Sequence, residues 1–309
     1  MVTRSPKGTT KTTGHFPGIH CVLFALFDAD QRLDRSAMAA QVAQVRAAGA
    51  DGITVLGLAT EVAKLNSQER ADIIRWARAD APDLPLSVTI VGNSVADQRA
   101  LIAVAEAEGA DWLILQPPLA GTYAAAEYVD FFATVGQSAT LPFAVQNAPQ
   151  YLGRSLSADD IAALRQRCPG FTQIKSETGP IELAGLVARV APDLLVLNGR
   201  GGLEMTDALR AGATGFIVAP DVLPGVLACW QAWASGDQAA AEAAYASFLP
   251  AALFAMQSLE HLSCYGKRTF GLRQGIEVHD RAPALRPTPF GLMLAERYAK
   301  GGDSRPPKA

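Results

Sequence analysis

The sequence has few of the residues that mark several large classes of protein. Its 309 residues include only four cysteines and four histidines, and its net charge is −3. The cysteines are far apart and form no CxxC pair, at Cys21, Cys168, Cys229 and Cys264. This spacing suits neither a zinc site nor a disulfide framework, and it predicts reduced, mostly buried thiols in a cytosolic protein. A basic stripe is also missing, which argues against nucleic-acid binding.

Long apolar runs are missing as well. No stretch approaches the ~20 apolar residues that a membrane-spanning helix needs. Residues 1–15 are rich in Thr, Lys and Gly without an apolar centre, so they do not resemble a secretory signal and predict a disordered extension. The polar segment 301–309 predicts a frayed tail. We therefore expect a cytoplasmic protein without a membrane partner.

What the sequence does contain is a repeating unit of one short apolar run followed by one alanine-rich amphipathic stretch. Such alternation predicts a parallel sheet covered by helices. The predicted strands are Ile19–Phe27, Gly52–Gly57, Leu86–Gly92, Trp112–Gln116, Phe143–Asn147, Phe171–Ser176, Leu194–Asn198 and Gly215–Ala219.

Eight units over residues 16–235 predict a (β/α)8 barrel, also called a TIM barrel. Glycine junctions such as 48–52 and 108–111 end helices and lead into strands. The alternative is a doubly wound open sheet, which usually has fewer units and a GxGxxG motif after its first strand. No such motif follows Phe27. After Ser235 the apolar runs stop, and residues 236–300 predict a C-terminal helical extension.

Lys175 is the one lysine in a predicted strand, whereas the others lie in tails, loops or polar helical stretches. A strand is a costly place for this strongly hydrated cation. If Lys175 points into the barrel, it loses water, and a free amine there could attack a carbonyl carbon. The alternative is an edge lysine whose ammonium group reaches solvent.

Candidate catalytic residues in a barrel lie at the carboxyl ends of the strands. No histidine ends a predicted strand, since His15 and His20 lie at the first strand's start and His261 and His279 in the helical extension. This distribution disfavours a metal-dependent aldolase and a Ser-His-Asp site. The glycine turn 198–202 could bind a phosphate, or let the backbone approach a substrate. Catalysis by the Lys175 amine is the prediction that remains.

Several motifs agree with a known family. Gly57-Leu-Ala-Thr-Glu61 forms a Gly-x-x-x-Glu box, Ile174-Lys175 ends the sixth strand, and Asn147 and Pro149 form an Asn-x-Pro segment. With these motifs the chain resembles the dihydrodipicolinate synthase/N-acetylneuraminate lyase family of lysine-dependent aldolases and dehydratases. The resemblance implies a TIM barrel, a Schiff base on Lys175 with no other cofactor and no metal, a small 2-keto acid substrate and a homotetramer.

The sequence departs from the family pattern around the lysine. Gln146 stands where the family usually has a tyrosine, and Leu58-Ala59 replace a Thr-Thr pair. Leu119-Ala120 replace a Tyr-Tyr pair, and Tyr151 replaces a carboxylate-binding arginine. The tyrosine–threonine–tyrosine proton relay is therefore missing, which argues against dihydrodipicolinate synthase activity itself. The Gln-x-Ala-Pro segment is similar to the branch that contains 2-keto-3-deoxy-L-arabonate dehydratase, which implies a sugar-acid-derived 2-keto acid.

The resemblance also implies roles for individual residues. Lys175 forms the Schiff base, and Gln146 orients a water or hydroxyl or is purely structural. Thr60 donates its hydroxyl and N–H to the substrate carboxylate, or caps the following turn. Tyr151 supplies a phenol or an aromatic cover. The other predicted substrate-site residues are Ala59, Glu61, Asn198, Gly199 and Ile217, although loop bracing by Glu61 and core packing by Ile217 are the stronger interpretations.

Three functional classes remain open from the sequence. The first is a Schiff-base aldolase or dehydratase acting on a 2-keto acid. The second is a non-catalytic binding protein that keeps Lys175 but has lost the proton relay. The third is a phosphate-binding barrel enzyme that uses residues 198–202.

Overall fold

The structure, a computed structural model, describes residues 14–301 and contains a closed barrel of eight parallel strands in sequential order. The predicted (β/α)8 barrel is confirmed. The predicted tails, 1–15 and 301–309, lie almost entirely outside the described residues. The strands are β1 Gly18–Val22, β2 Gly52–Val55, β3 Leu86–Ile90, β4 Trp112–Leu115, β5 Phe143–Asn147, β6 Phe171–Ser176, β7 Leu195–Asn198 and β8 Gly215–Val218.

Helices follow the strands and cover the outside of the barrel. Their ends carry local signals, since Asn66 and Ser157 each form a capping box with the residue three positions later. Gly49 ends the first helix in the left-handed conformation that favours glycine. The barrel helices are α1 Arg35–Ala48, α2 Ser67–Asp80, α3 Val95–Ala107, α4 Ala125–Gly136, α5 Pro149–Leu152, α6 Ala158–Arg167, α7 Pro180–Val190, α8 Met205–Arg210 and α9 Leu223–Ala234.

The chain after α9 forms helices that pack beside the barrel mouth. They are α10 Gln238–Ala255, α11 Leu259–His261, a π-helical turn Leu262–Gly266, α12 Lys267–Gln274 and α13 Pro289–Ala299. Three short 3-10 helices lie in the loops after β2 and β7, at Leu58–Thr60, Val62–Lys64 and Arg200–Gly202.

The predicted end of the first strand is wrong. The predicted first strand ran to Phe27, but β1 ends at Val22, and the buried run after it only forms isolated bridges from Phe27 to Leu33 and His279. The C-terminal extension covers the barrel mouth here, so this apolar run marks burial under helices rather than a strand.

Aromatic side chains close the end of the barrel opposite the strand carboxyl termini. The rings of Phe16 and Trp112 stack with centroids 5.5 Å apart, and His20 meets Trp112 edge-on at 5.4 Å. Burial lowers the pKa of His20, so its imidazole is a neutral core group. This end is a packed core, and it leaves the strand carboxyl ends as the place for a site.

All four cysteines are free and buried, as predicted. Within residues 14–301 no single helix is long and apolar enough to cross a membrane, although Gln238–Ala255 and Leu259–Gln274 meet that test as a pair bent by 102°.

Candidate active site

Lys175 lies on the inner face of β6, close to the mouth of the barrel. It pairs in register with Gln146 on β5 and Leu197 on β7, and its side chain is only 7% exposed. Two residues earlier, Gln173 accepts a hydrogen bond from the N–H of Phe16 at the closed end. Because alternate strand residues share a face, Gln173, Lys175 and the residue at 177 follow one another up the inside of the barrel.

Glu177 is the charged partner of Lys175. Its Oε1 lies 2.7 Å from the Nζ of Lys175, and its side chain is 6% exposed. The N–H of Glu177 donates to the carbonyl of Asn147 at 2.8 Å, which fixes the backbone just past the end of β6. A buried ammonium and a buried carboxylate compensate each other's loss of water, so the pair can persist inside the barrel.

Two glutamine side chains hold the carboxylate of Glu177 in place. The Nε2 of Gln146 donates to Oε1 of Glu177 at 2.7 Å, and the Oε1 of Gln146 accepts from Nε2 of Gln116 at 3.1 Å. Gln98 in turn donates to the carbonyl of Gln116 at 2.7 Å. This chain of amides runs from α3 to the carboxylate, and the amide of Gln146 is the member that contacts Glu177.

The Lys175–Glu177 pair lines a small cavity of about 40 Å³, which has room for about two water molecules. Tyr151 covers it, and burial together with the negative charge of Glu177 raises the pKa of this phenol to about 12. The remaining walls come from strand ends and the C-terminal helices. They include Val22, Leu58, Ala59, Arg200, Gly201, Ile217, Val218, Ala219, Asp221, Val222, Met256, Leu259 and Leu262.

The predicted role of Thr60 needs correction. Its hydroxyl donates to the carbonyl of Leu23 at 2.7 Å, and its N–H donates to the carbonyl of Gly57 at 3.0 Å. Both donors are therefore used to fold the loop and are not directed to a ligand. Ala59 does line the cavity, in the first turn of a 3-10 helix, where N–H groups have no acceptor within the helix.

Glu61 braces the loop, in line with the stronger of its two interpretations, and it does not line the Lys175 cavity. Its carboxylate bonds to Lys64 and to the fully buried Lys267 of α12. Burial lowers the pKa of Lys267 and the carboxylate of Glu61 raises it, with burial the larger effect. A second charged contact of this kind joins Arg281 to Glu69 at 2.7 Å.

Asn198 and Gly199 stand behind the cavity rather than in its wall. The Nδ2 of Asn198 donates to the carbonyl of Thr178 at 3.3 Å. A Cβ added to Gly199 would lie 2.8 Å from Cγ of Glu177, so this glycine gives the carboxylate its space. In the glycine turn that follows, the guanidinium of Arg200 already forms an ion pair with the carboxylate of Glu204, at 2.8 Å. This arrangement weakens the interpretation of the turn as a phosphate site.

Ile217 lines the cavity and is also buried in the core. Sequence reasoning missed Glu177 and Asp221. For Glu177 a signal existed, since it follows Lys175 by two positions, the period of a strand face. For Asp221 the sequence offers no such signal, because this residue lies beyond β8 in a Pro-containing loop.

A larger groove of about 940 Å³ lies beside the Lys175 cavity and shares Leu58 and Leu259 with it. Its polar lining includes Arg70, Asp97 and Glu260, but not the Lys175–Glu177 pair. The groove has an amine–carboxylate pair of its own, Lys64 and Glu61, but that pair braces the loop after β2. We place the candidate site in the smaller cavity, because the strand lysine and its carboxylate partner line it. Within residues 14–301 no three His, Cys, Asp or Glu side chains form a group that could hold a metal ion.

A barrel with a buried lysine on its sixth strand defines the class of this protein by fold and site. Residues 15–261 match the model of the dihydrodipicolinate synthetase family, so the chain belongs to that family. Family members include aldolases and lyases that act on keto acids through a Schiff base.

Relatives with several activities are similar to this chain. YagE of Escherichia coli, named as a 2-dehydro-3-deoxy-D-gluconate aldolase, is 28% identical over 237 residues, 73% of this chain and 77% of its own. An N-acetylneuraminate lyase of Salmonella paratyphi B is 28% identical over 202 residues, 65% and 67% of the two chains. A 4-hydroxy-tetrahydrodipicolinate synthase of Haloarcula marismortui is 25% identical over 275 residues, 88% and 89%.

Solved structures share the fold. The structure of Escherichia coli YagE in complex with pyruvate superimposes with a TM-score of 0.85 at 24% identity, covering 93% of this chain and 99% of that one. The dihydrodipicolinate synthase of Aquifex aeolicus gives a TM-score of 0.86 at 21% identity, covering 92% and 97%.

Proposed function

We propose that this protein is a Schiff-base lyase that acts on a 2-keto acid through Lys175, with Glu177 as its acid and base. The observation that carries the proposal is the contact of 2.7 Å between the Nζ of Lys175 and Oε1 of Glu177 inside the barrel mouth. An amine that forms an imine must first lose a proton, and here a carboxylate that can accept it is in direct contact.

The two residues account for each proton in imine formation. Lys175 gives one proton to Glu177, and the free Nζ attacks the C2 carbonyl carbon of the keto acid. A second proton passes from Nζ to the C2 oxygen, which becomes a hydroxyl. Glu177 then returns its proton to this hydroxyl, which leaves as water. The protonated imine draws electrons from the adjacent carbon, so cleavage of a carbon–carbon bond or loss of a β-hydroxyl proceeds through an enamine.

Gln146 supports this assignment of Glu177. An amide cannot carry a proton as the tyrosine of other family members does, but it can hold the group that does. Gln146 donates to the oxygen of Glu177 that faces Lys175. The proton carrier has thus moved from β5 to the end of β6, two residues beyond the lysine.

We infer that the substrate is a 2-keto-3-deoxy sugar acid or another pyruvate-derived compound. YagE, a relative at 28% identity, is named for an aldolase of a 2-dehydro-3-deoxy sugar acid, and its structure contains pyruvate. The Gln146–Pro149 segment adds the resemblance to dehydratases of such acids. In this proposal the carboxylate lies at Ala59 and the keto group at Lys175. The covalent imine then needs no separate cofactor.

The test is to trap the imine. The protein is incubated with pyruvate and borohydride, and the modified peptide is located by mass spectrometry. We expect a stable adduct on Lys175, no adduct in Lys175→Met, and normal adduct formation in Lys300→Met, an exposed control. No adduct in the unmodified protein at saturating pyruvate would reject the proposal.

A second measurement separates an enzyme from a binding protein. Proteins that trap pyruvate are assayed with a panel of 2-keto-3-deoxy sugar acids. Turnover of one of them shows a lyase, and the product distinguishes aldol cleavage from dehydration. Adduct formation without turnover of any of them would favour the non-catalytic binding protein.

A further inference from the structure

Asp221 brings a second carboxyl group into the Lys175 cavity. It follows β8 by three residues, is 3% exposed, and lines the same cavity as Lys175 and Tyr151. Its Oδ1 is buried and has no hydrogen-bond partner among the described residues. A buried polar atom without a partner is costly, and folded proteins retain few of them.

No side chain of the described residues donates a hydrogen bond to the carboxyl of Asp221, although the backbone N–H groups of Asp221 and Val222 are close enough to lower its pKa. Arg273 of α12 donates to the main-chain carbonyl of Asp221, and the guanidinium makes no hydrogen bond to its carboxyl. The buried thiol of Cys21 on β1 also lies close to it, and Lys175, Glu177 and Tyr151 line the same cavity. The proposed functions of Lys175 and Glu177 leave Asp221 unused as well.

The fold nevertheless makes room for the carboxyl. A Cβ added to Gly266, in the π-helical turn over the cavity, would lie 3.0 Å from Oδ2 of Asp221 and 2.8 Å from Leu262. The nearby cavity wall is apolar, with Val22, Val218 and Leu262. A π-turn in a helix often marks a functional site. A hydrogen-bond acceptor that is left free in an apolar wall can bind an uncharged hydrogen-bond donor of a ligand.

The order of the strands indicates on which side of a bound ligand that donor would lie. β8 lies two strands from β6, which carries Lys175, and two strands from β2, which precedes Ala59. A keto acid whose carboxylate is at Ala59 and whose C2 is on Lys175 therefore lies across the mouth, with Asp221 to one side. A second anion there would be repelled by the carboxyl groups of Glu177 and Asp221, whereas a hydroxyl would not.

We propose that Asp221 accepts a hydrogen bond from a hydroxyl of the substrate and so selects hydroxylated 2-keto acids over pyruvate. The inference rests on the proposed imine at Lys175 and adds a specificity residue to it. A site built to bind a hydroxyl group discriminates strongly against a compound that lacks it, since the acceptor then stays unpaired.

The test compares two probes on the full chain. Pyruvate has no hydroxyl beyond its keto acid, and 2-keto-3-deoxygluconate has several. For each probe we measure the concentration that gives half-maximal borohydride trapping on Lys175. Asp221→Leu is close in size but cannot accept a hydrogen bond. It should raise this concentration about 10- to 100-fold more for 2-keto-3-deoxygluconate than for pyruvate.

Two further variants keep the test decisive. Asp221→Asn retains an uncharged hydrogen-bond acceptor, so it should raise the half-maximal concentration for the hydroxylated acid only about fivefold. This variant tests the role of Asp221 if the leucine variant does not fold. Asp193→Leu, an exposed control, should change neither probe. Equal shifts for both probes, or none, would overturn the role of Asp221 while trapping of pyruvate still supports the imine. No trapping in the unmodified protein would overturn both proposals.

Discussion

Gln146 and Lys175 contact the same oxygen of Glu177, each at 2.7 Å. Gln146 donates to this oxygen through its amide, and the ammonium of Lys175 donates from the neighbouring strand. Two donors on one oxygen fit an ionised carboxylate, which accepts only. The contacts therefore hold Glu177 beside the amine from which, in the proposed reaction, it takes a proton.

Replacing Glu177 by Gln should separate imine formation from turnover. The amide keeps the size of the side chain but cannot carry a proton, so we expect turnover of the 2-keto acid substrate to fall about 10²- to 10⁴-fold. Pyruvate should still be trapped on Lys175, at a lower rate. Glu127→Gln, on the exposed first turn of α4, is the matched control. Unchanged turnover in Glu177→Gln would rule out the acid–base role.

Replacing Gly199 by Ala should disturb the same carboxylate through packing alone. The new methyl group would lie 2.8 Å from Cγ and 3.0 Å from Cδ of Glu177, so the side chain has to move away from Lys175. We expect a loss of turnover of at least about tenfold, because a small displacement of a catalytic group is enough to cost this much. Gly185→Ala in α7 has nothing within 4 Å of the added carbon and should retain full activity. Equal kinetics in both variants would contradict the proposed function of Gly199.

The sequence was sufficient to predict the barrel, and the reason is visible in β5 and β6. Both strands have the predicted bounds, Phe143–Asn147 and Phe171–Ser176, because each apolar run lies between a turn and a polar residue. The first strand was overestimated at its end. Apolar side chains past Val22 are buried by helices from the other end of the chain, and a local pattern cannot distinguish this burial from that of a strand.

The site could be predicted only where one residue carries the signal. Lys175 is unusual by itself, since it is a cation inside a strand. The position of Glu177 depends on how far the backbone stays extended past Ser176. The position of the Asp221 carboxyl depends on Gly266, in a helical turn 45 residues later, which leaves space for it. Thr60 matched a motif, yet its hydroxyl bonds to Leu23, a long-range contact that the motif does not contain.

Replacing Lys267 by Met should destabilise the protein strongly. This lysine is fully buried, bonds to Glu61, and lies over the ring of Phe27 at 5.2 Å. Removing it leaves the carboxylate of Glu61 with Lys64 alone, and breaking a buried ion pair in this way costs about 3–5 kcal/mol. Urea unfolding monitored by circular dichroism measures the loss.

The double variant Glu61→Gln/Lys267→Met tests the cause of that loss. It removes both charges, so it should be more stable than Lys267→Met alone. Lys300→Met, which removes an exposed partner of Glu296, should leave the unfolding midpoint unchanged. If the double variant is less stable than Lys267→Met, packing of the lysine stem rather than charge pairing is the main contribution.

Asp221 should make the stability of the fold depend on pH. Burial raises the pKa of its carboxyl from 3.8 to about 6, while Arg273 lowers it by a smaller amount. Below 3.8 both the folded and the unfolded chain hold the proton, so the group has no effect on stability. Between 3.8 and about 6 the unfolded chain ionises first, and stability falls as pH rises. Above about 6 the full cost of the buried charge is present, on the order of 3 kcal/mol.

The variant Asp221→Asn does not titrate, so its free energy of unfolding relative to the unmodified protein should increase with pH through this window. Urea unfolding at about pH 4, 5, 6 and 7 measures the difference, with Asp193→Asn as an exposed control that should show none. We expect the increase to be complete above about pH 6, because the folded protein then carries the ionised carboxyl. A difference that is constant with pH would mean that Asp221 titrates alike in both states. The cavity would then hold a partner for its carboxyl, and the acceptor assigned to a substrate hydroxyl would already be in use.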